Sequence, residues 1–257
     1  ASVTYGTVYA TNTRDDLLNS RLIIMWGWDP ATTMTGTNTP WFLMRAKEGG
    51  TRIIAVDPYF SDSAAVLAES WISPKPGSDT AMLIAMAHVI ITENLQDQGF
   101  LDAHTVGFDQ FRAYVLGKDD GEPKTPAWAE TITGVPSHKI RELAIEYATI
   151  KPAALMAGLA PGRTAFGEQF HRAAMTLAAM TGNVGVHGGD AAAMAWGSTK
   201  GGYPFRMENG EAVPKFKNPL ERSIPGLPTV PAGEAYPYVH YTKVADAILE
   251  GKKEGYP

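Results

Sequence analysis

The fold is decided by the stretch Arg21-Leu22-Ile23-Ile24-Met25-Trp26, a run that is apolar after its first residue and that Gly27 ends. An apolar run without polar alternation is typical of a strand that is buried on both faces of a parallel sheet. The pattern recurs at Thr51-Arg52-Ile53-Ile54-Ala55-Val56 and again at Pro152-Ala153-Ala154-Leu155-Met156-Ala157, which Gly158 ends. These runs predict three strands of one sheet.

Helical patterns fill the intervals between the predicted strands. Thr39 is the predicted N-cap of the first helix, with Pro40 at its first position and Gly49-Gly50 at its end. Ser137 is the predicted cap of a later helix that ends near Ile150, because the residue before Pro disfavours helix. Two more helices are predicted over about residues 78–94 and 167–180. The alternation predicts an α/β fold, a doubly wound and mostly parallel sheet of the dinucleotide-binding kind.

The composition divides the chain into two parts. Of the last 60 residues, 198–257, eight are Pro and seven are Gly, whereas the preceding residues carry the strand and helix patterns. We therefore expect an α/β ligand-binding domain over residues 1–197 and a loop-rich connecting segment over residues 198–257 that leads toward a missing domain. The chain begins without Met, and we expect an internal fragment of a longer protein.

Charge and residue content narrow the classes of function. The 257 residues hold 22 Lys and Arg against 27 Asp and Glu, and this net charge of −5 argues against a nucleic-acid partner. The absence of Cys excludes disulfides, Cys-ligated metal centres and a thiol nucleophile within these residues. The six His residues are scattered, without the spacing of a metal site, and no apolar run reaches membrane-spanning length.

The residues that follow the strands are the candidate site, because ligands of such sheets bind beyond the carboxyl ends of the strands. Three segments follow predicted strands: Trp26-Gly27-Trp28-Asp29-Pro30, Val56-Asp57-Pro58-Tyr59 and Gly158-Leu159-Ala160-Pro161-Gly162-Arg163. Another candidate segment, Lys75-Pro76-Gly77-Ser78-Asp79, leads into a predicted helix and comes third in chain order.

Each segment has a ligand-binding interpretation and a structural one. Gly27 allows close backbone approach to a ligand, or simply turns the chain. Asp57 is able to accept two hydrogen bonds from a ribose diol or a guanine edge, or caps a turn. Asp79 either accepts hydrogen bonds from a base at the start of a helix or only complements the helix dipole. Together the segments predict a nucleotide-like ligand, although Gly27-Trp28-Asp29 lacks the G-x-G-x-x-G of a standard dehydrogenase.

The four segments, in this order, resemble those of the catalytic subunits of the dimethyl sulfoxide reductase family of molybdopterin oxidoreductases. The later stretch Thr181-Gly182-Asn183-Val184-Gly185-Val186-His187-Gly188-Gly189 resembles the same family, and the similarity covers about residues 15–200. The fourth segment departs from the family's usual Gly-Trp-Gly-Pro-Gln-Arg, because Leu159 and Gly162 replace the Trp and the Gln.

The resemblance implies two molybdopterin guanine dinucleotides around one molybdenum, one of them held along the strand ends of this domain. Its cofactor contacts carry over residue by residue. The residues expected at the pyrophosphate and the pterin are Gly27, Trp28, Asp29 and Pro30. Asp57 and Tyr59 are expected to contact the guanosine, and Pro76, Gly77, Ser78 and Asp79 the guanine edge. The other expected contact residues are Trp26, Pro58, Gly158, Leu159 and Arg163.

The resemblance also implies an activity for the full subunit, the removal of an oxygen atom from a sulfoxide or an N-oxide. The metal ligand and any iron–sulfur cluster would lie outside this chain, which alone is expected to be inactive. An iron–sulfur electron-transfer subunit, a membrane anchor subunit and a periplasmic or exported location are implied as well. The alternatives are another enzyme on the same cofactor, such as a polysulfide, arsenate or selenate reductase or a hydratase, and a nucleotide-binding module without chemistry.

Overall fold

The computed structural model of the chain describes residues 2–5, 11–33 and 38–193. The short helix α1, Ser2–Tyr5, belongs to one structural unit, and the described residues from 11 onward belong to another. The predicted boundary at residue 197 and the loop-rich segment 198–257 lie outside the described residues.

A parallel sheet of four strands forms the centre of the larger unit. Its strands are β1 (Leu22–Trp26), β2 (Arg52–Val56), β3 (Ser70–Ile72) and β4 (Ala153–Ala157), in the spatial order β3-β2-β1-β4. All three pairings are parallel. The three predicted strands are confirmed, each starting one residue later than the predicted run. The edge strand β3 is not predicted, because three half-exposed residues carry no continuous apolar signal.

Helices cover both faces of the sheet. Within the described part of the larger unit they are α2 (Thr39–Glu48), α3 (Asp62–Leu67), α4 (Asp79–Thr92), α5 (Gln98–His104), α6 (Phe108–Val115), α7 (Pro126–Thr133), α8 (Ser137–Thr149) and α9 (Glu168–Met180), with 3-10 helices at Arg14–Asn19 and Pro161–Arg163.

The alternation of side chains along β1 separates two apolar cores. Leu22, Ile24 and Trp26 belong to the core that includes residues of α4, α8 and α9. Ile23 and Met25 belong to the core with residues of α2 and α3 on the opposite face. Because successive side chains of a strand point to opposite faces, a strand buried in both cores is apolar throughout. The doubly wound α/β fold is therefore confirmed.

Two predicted helix caps are wrong. The N-cap of α2 is Asn38, whose carbonyl accepts the first intrahelical bond from Phe42 at 3.2 Å, so that Thr39 is already helical. Pro136 precedes α8, and Ser137 is its first residue. The Ser137 N–H donates instead to Glu130 Oε2 at 2.9 Å. A carboxylate from α7 thus binds the N–H of the first helical residue, and the predicted capping bond of the Ser137 hydroxyl is not formed.

A polar cluster ties the N-terminal segment to the segment that follows α9. The buried Asp16 carboxylate accepts hydrogen bonds from Gly188 N–H and His187 Nδ1, both at 2.9 Å, and from the side chains of Asn12 and Asn19. Burial alone would raise the pKa of Asp16, but these hydrogen bonds outweigh it and lower the pKa. The cluster therefore requires an ionised Asp16.

Asp16→Asn should lower the free energy of unfolding by about 1–3 kcal/mol at pH 7, because an NH2 group replaces one of the two acceptor oxygens and faces donors that then lack an acceptor. Since the native-state pKa is lowered, the contribution of Asp16 is complete above the ordinary carboxyl pKa of 3.8 and is lost as the pH falls through the native-state pKa. Urea denaturation at pH 7 and at steps toward pH 3 measures this. The exposed Asp15→Asn is the control, and a wild-type-to-Asp16→Asn difference that does not shrink on acidification would contradict the assignment.

Candidate functional site

The carboxyl ends of the strands meet at one edge of the sheet, as predicted. The N–H groups of Gly27 and Gly158 donate to the carbonyls of Val56 and Trp26 at 2.8 and 2.7 Å, and the N–H of Asp57 donates to the last residue of β3 at 3.0 Å. The residues after β4, β1 and β2 thus continue the ladder and lie side by side. We call this row, Gly158, Gly27 and Asp57, the strand-end edge.

The loops after β1 and β4 contact each other through their backbones. The strand order reverses at β1, and the crevice at such a reversal is where sheets of this type bind ligands. A Cβ atom on Gly158 would lie 1.6 Å from the Gly27 carbonyl oxygen, and one on Gly27, which has φ +55°, would lie 2.5 Å from the Pro161 ring. The first and fourth candidate segments are therefore brought together by an approach that glycine alone permits.

Within these loops the predicted contact residues differ in exposure. Trp28 is 4% exposed and Pro30 is buried, so both residues belong to the protein interior next to the strand-end edge. Leu159 is half-buried, whereas Arg163 is exposed at the end of the 3-10 helix after β4. Among these residues, Arg163 offers a positive charge to solvent on the β4 side of the edge.

Asp29 is held by the start of α3. Its carboxylate accepts hydrogen bonds from the hydroxyls of Ser63 and Thr32 and from the Ala31 N–H. Although burial favours the neutral acid, these bonds prevail and lower the pKa of Asp29. Asp29 is therefore a fixed negative charge of which much of the acceptor capacity is already used.

Asp57 retains unused acceptor capacity at the end of β2. Its Oδ1 accepts the Tyr59 N–H at 2.9 Å, the turn-capping bond of the structural interpretation, and Oδ2 makes no hydrogen bond within the described part of the chain. Burial raises the pKa of Asp57; the Tyr59 bond acts against this rise, and the negative charges of Asp29 and Asp79 add to it. The neighbouring Pro58 and Tyr59 are exposed, so Asp57 lies beside an open surface.

Asp79 is the first residue of α4, one residue after the predicted helix start, and its carboxylate faces a partner that is not predicted. Oδ1 accepts the indole N–H of Trp26 at 2.9 Å, and Asp79 is only 4% exposed. Burial raises the pKa of Asp79, and the Trp26 indole and the N–H groups of Asp79 and Gly77 act against that rise. The preceding turn is the predicted one, because Ser78 N–H donates to Lys75 O at 3.1 Å and Gly77 has φ +81°.

The edge therefore has two electrostatically different ends. Asp29, Asp57 and Asp79 make the β1–β2 end negative. The charges of Asp29 and Asp79 both contribute to the raised pKa of Asp57. The β4 end has glycine backbone and the Arg163 side chain. The structure brings no three His, Asp or Glu residues together as a metal site within residues 2–5, 11–33 and 38–193. In the same residues, no helix has the length and apolarity to span a bilayer.

The fold and its edge define a doubly wound α/β protein whose strand-end loops converge at a reversal of strand order. The family model for molybdopterin oxidoreductases matches residues 2–238. The chain belongs to the molybdopterin oxidoreductase family, and the resemblance inferred from the sequence is confirmed. Membership implies a cofactor built from molybdenum and molybdopterin.

Similar proteins come from bacterial reductases. The chain is 39% identical over 236 residues to dimethyl sulfoxide reductase DmsA of Escherichia coli, covering 86% of the chain and 28% of DmsA. It is 38% identical over 180 residues to the dimethyl sulfoxide/trimethylamine N-oxide reductase of Cereibacter sphaeroides, covering 66% of the chain and 21% of that reductase. The chain thus spans less than a third of the length of either relative.

Among solved structures, acetylene hydratase from Pelobacter acetylenicus superposes with a TM-score of 0.58. The match covers 74% of the chain and 24% of the hydratase, at 23% sequence identity. At this identity the similarity establishes a shared fold and carries no information about the reaction.

Proposed function

We propose that the strand-end edge binds the guanosine end of a molybdopterin guanine dinucleotide, within a catalytic subunit that reduces a sulfoxide or an N-oxide. The observation that carries the proposal is a pair of carboxylates at the end of the sheet. Asp57 follows β2, and its Oδ2 makes no hydrogen bond within the described part of the chain, while Asp79 is the first residue of α4. A carboxylate accepts hydrogen bonds and donates none when ionised, and the guanine edge presents two donors, N1–H and N2–H. The chemistry of Asp79 therefore matches the guanine edge, and Asp57 is able to accept the hydroxyls of the attached ribose.

The charges of the edge also orient the proposed ligand. A pyrophosphate beside Asp29, Asp57 and Asp79 would be repelled, whereas sugar hydroxyls and base N–H groups would be attracted. The proposal therefore departs from the expectation, drawn from the resemblance, that Asp29 lies on the pyrophosphate side. The guanosine therefore belongs at the β1–β2 end, with its ribose at Asp57 and Tyr59 and its base at Pro76–Asp79.

The pyrophosphate and pterin belong toward Gly27, Gly158, Leu159 and Arg163. Glycine backbone allows close approach of the phosphates there, and the exposed guanidinium opposes their charge. Trp28 and Pro30, both buried, would support this loop from below. When bound, the molybdenum centre supplies oxygen-atom transfer coupled to two electrons. The part of this chain is to hold the dinucleotide in place.

The same proposal includes the activity and the partners of the whole catalytic subunit. The names of the similar proteins from Escherichia coli and Cereibacter sphaeroides favour a sulfoxide substrate. The 32% identity over 257 residues to the trimethylamine-N-oxide reductase of Haemophilus influenzae supports an N-oxide as the second candidate. An iron–sulfur cluster outside this chain, an electron-transfer subunit, a membrane anchor subunit and a periplasmic location complete the proposal by family resemblance.

Calorimetric titration of the 257-residue chain with GMP and with AMP tests the base assignment. GMP should bind more tightly by about 1–3 kcal/mol, because adenine offers no matching pair of N–H donors. Asp79→Ala should abolish that preference, whereas Asp109→Ala, which removes an exposed carboxylate from the first turn of α6, should keep it. Equal affinity for the two nucleotides, or an unchanged preference in Asp79→Ala, would assign Asp79 to the helix start alone.

A further inference from the structure

We infer that Trp26 is a positioning residue that sets the base preference of the edge by orienting the Asp79 carboxylate. The inference rests on the proposed guanosine site. It adds a determinant that lies in the strand and has no contact with solvent. Its basis is a single hydrogen bond between two buried side chains, from the Trp26 indole Nε1 to Asp79 Oδ1.

The Trp26 indole is held rigidly from several sides. Trp26 is the last residue of β1 and is fully buried. Its ring lies against Phe170 of α9, with the centroids 6.0 Å apart and the planes inclined by 52°. The backbone N–H and carbonyl groups around it are part of the pairings with β2 and β4. The donor N–H therefore has one direction, fixed by the centre of the sheet.

Within the described residues, the Trp26 indole is the side-chain donor to the buried carboxylate, and the backbone N–H groups of Asp79 and Gly77 act beside it. No Lys, Arg or His of the described residues forms an ion pair with Asp79, so hydrogen bonds are its means of stabilisation there. An indole N–H donates and cannot accept, so the bond favours the ionised carboxylate in one orientation. The indole bond occupies one position on Oδ1, and a carboxylate has about four acceptor positions, so capacity remains beside the indole and the backbone N–H groups of Asp79 and Gly77. Trp26 thus fixes the plane of the carboxylate and leaves acceptor capacity for a base.

The orientation has a direct consequence for base choice. Guanine requires two acceptors in the geometry of its N1–H and N2–H groups. A carboxyl that loses the indole donor is freer to rotate and is more readily protonated in its buried position. A protonated carboxyl donates one bond and accepts another, which matches the N1 and N6 groups of adenine. Loss of the Trp26 N–H should therefore reduce discrimination between the bases more than it reduces binding itself.

The test is the ratio of GMP to AMP affinity, measured by calorimetry on the full 257-residue chain. Trp26→Phe keeps an aromatic ring and removes the N–H, and the ratio should fall about tenfold, which corresponds to one hydrogen bond to a charged group. Trp41→Phe is the matched control, because Trp41 is 53% exposed on α2. Its ratio should equal that of the wild type.

A double-variant cycle separates positioning from general destabilisation. If Trp26 acts through Asp79, adding Trp26→Phe to Asp79→Asn should change the ratio no further, although it should still lower the free energy of unfolding. Replacing Trp26 by the isosteric benzothienylalanine removes the N–H without opening a cavity, and it provides the same readout if the Phe variant does not fold.

The outcomes distinguish the inference from the proposed function. A wild-type chain that binds GMP and AMP equally, or binds neither, removes the guanosine site and with it the role of Trp26. A wild type that prefers GMP, with the same preference in the two Trp26 variants, leaves the site intact and overturns the role of Trp26. A fall of the ratio that is equally large on the wild-type and the Asp79→Asn backgrounds also overturns it.

Discussion

Gly158→Ala should lower the free energy of unfolding by about 3 kcal/mol, at the upper end of what overpacking usually costs. The added Cβ would lie 1.6 Å from the Gly27 carbonyl oxygen and 2.8 Å from that of Trp26. These are backbone atoms of the central strand and of the turn after it, so no flexible side chain is able to move aside. Relief requires the β1 and β4 loops to separate, which also disrupts the proposed cofactor contacts.

Gly99→Ala is the matched control for this substitution. Gly99 lies in α5, and a Cβ there would meet only Asp97 Oδ1, at 3.6 Å. Alanine is the better helix former, so this variant should be as stable as the wild type or slightly more stable. Urea denaturation of both variants measures the difference. Equal stability of Gly158→Ala and the wild type would mean that the two loops are not in contact.

Phe170→Ala should lower the free energy of unfolding by about 3–5 kcal/mol, as expected when a buried aromatic side chain leaves a cavity. Phe170 is 1% exposed on α9, in the core between the sheet and α4. Its ring contacts Trp26, so the cavity would also loosen the indole that bonds Asp79. The loss should therefore affect nucleotide binding as well as stability.

The nearby Phe166→Ala serves as the control for Phe170→Ala. Phe166 is 80% exposed, so its truncation should change the free energy of unfolding by no more than about 0.5 kcal/mol. Chemical denaturation of the two variants gives the comparison. A smaller loss for Phe170→Ala than for Phe166→Ala would contradict the position of α9 on the sheet.

The strands were predictable because a parallel sheet covered on both faces demands apolar side chains at every position. All five residues of β1 and of β4 are buried, and this is visible as an uninterrupted run. The same physics explains the failure at β3, where an edge strand needs no such run. The position of the strand-end edge was predictable from the strands, because the carboxyl ends of parallel strands lie on the same side of a sheet.

The partners of the polar side chains were not predictable, because they depend on contacts between distant parts of the chain. Trp26 and Asp79 are 53 positions apart, and the one signal in the sequence was a Trp in a buried strand, which needs an acceptor for its N–H. Lys124 is a second example. It is 2% exposed, lies over the rings of Tyr114 and Trp128 and pairs with Asp120.

The most direct test of the proposed guanosine site is an experimental structure of the complete catalytic subunit that contains this chain, purified anaerobically with its cofactor. We expect a guanine base whose N1 and N2 atoms lie about 2.7–3.2 Å from the Asp79 carboxylate, with the attached ribose beside Asp57. A cofactor whose guanine binds elsewhere in the subunit, with Asp57 and Asp79 contacting protein alone, would contradict it.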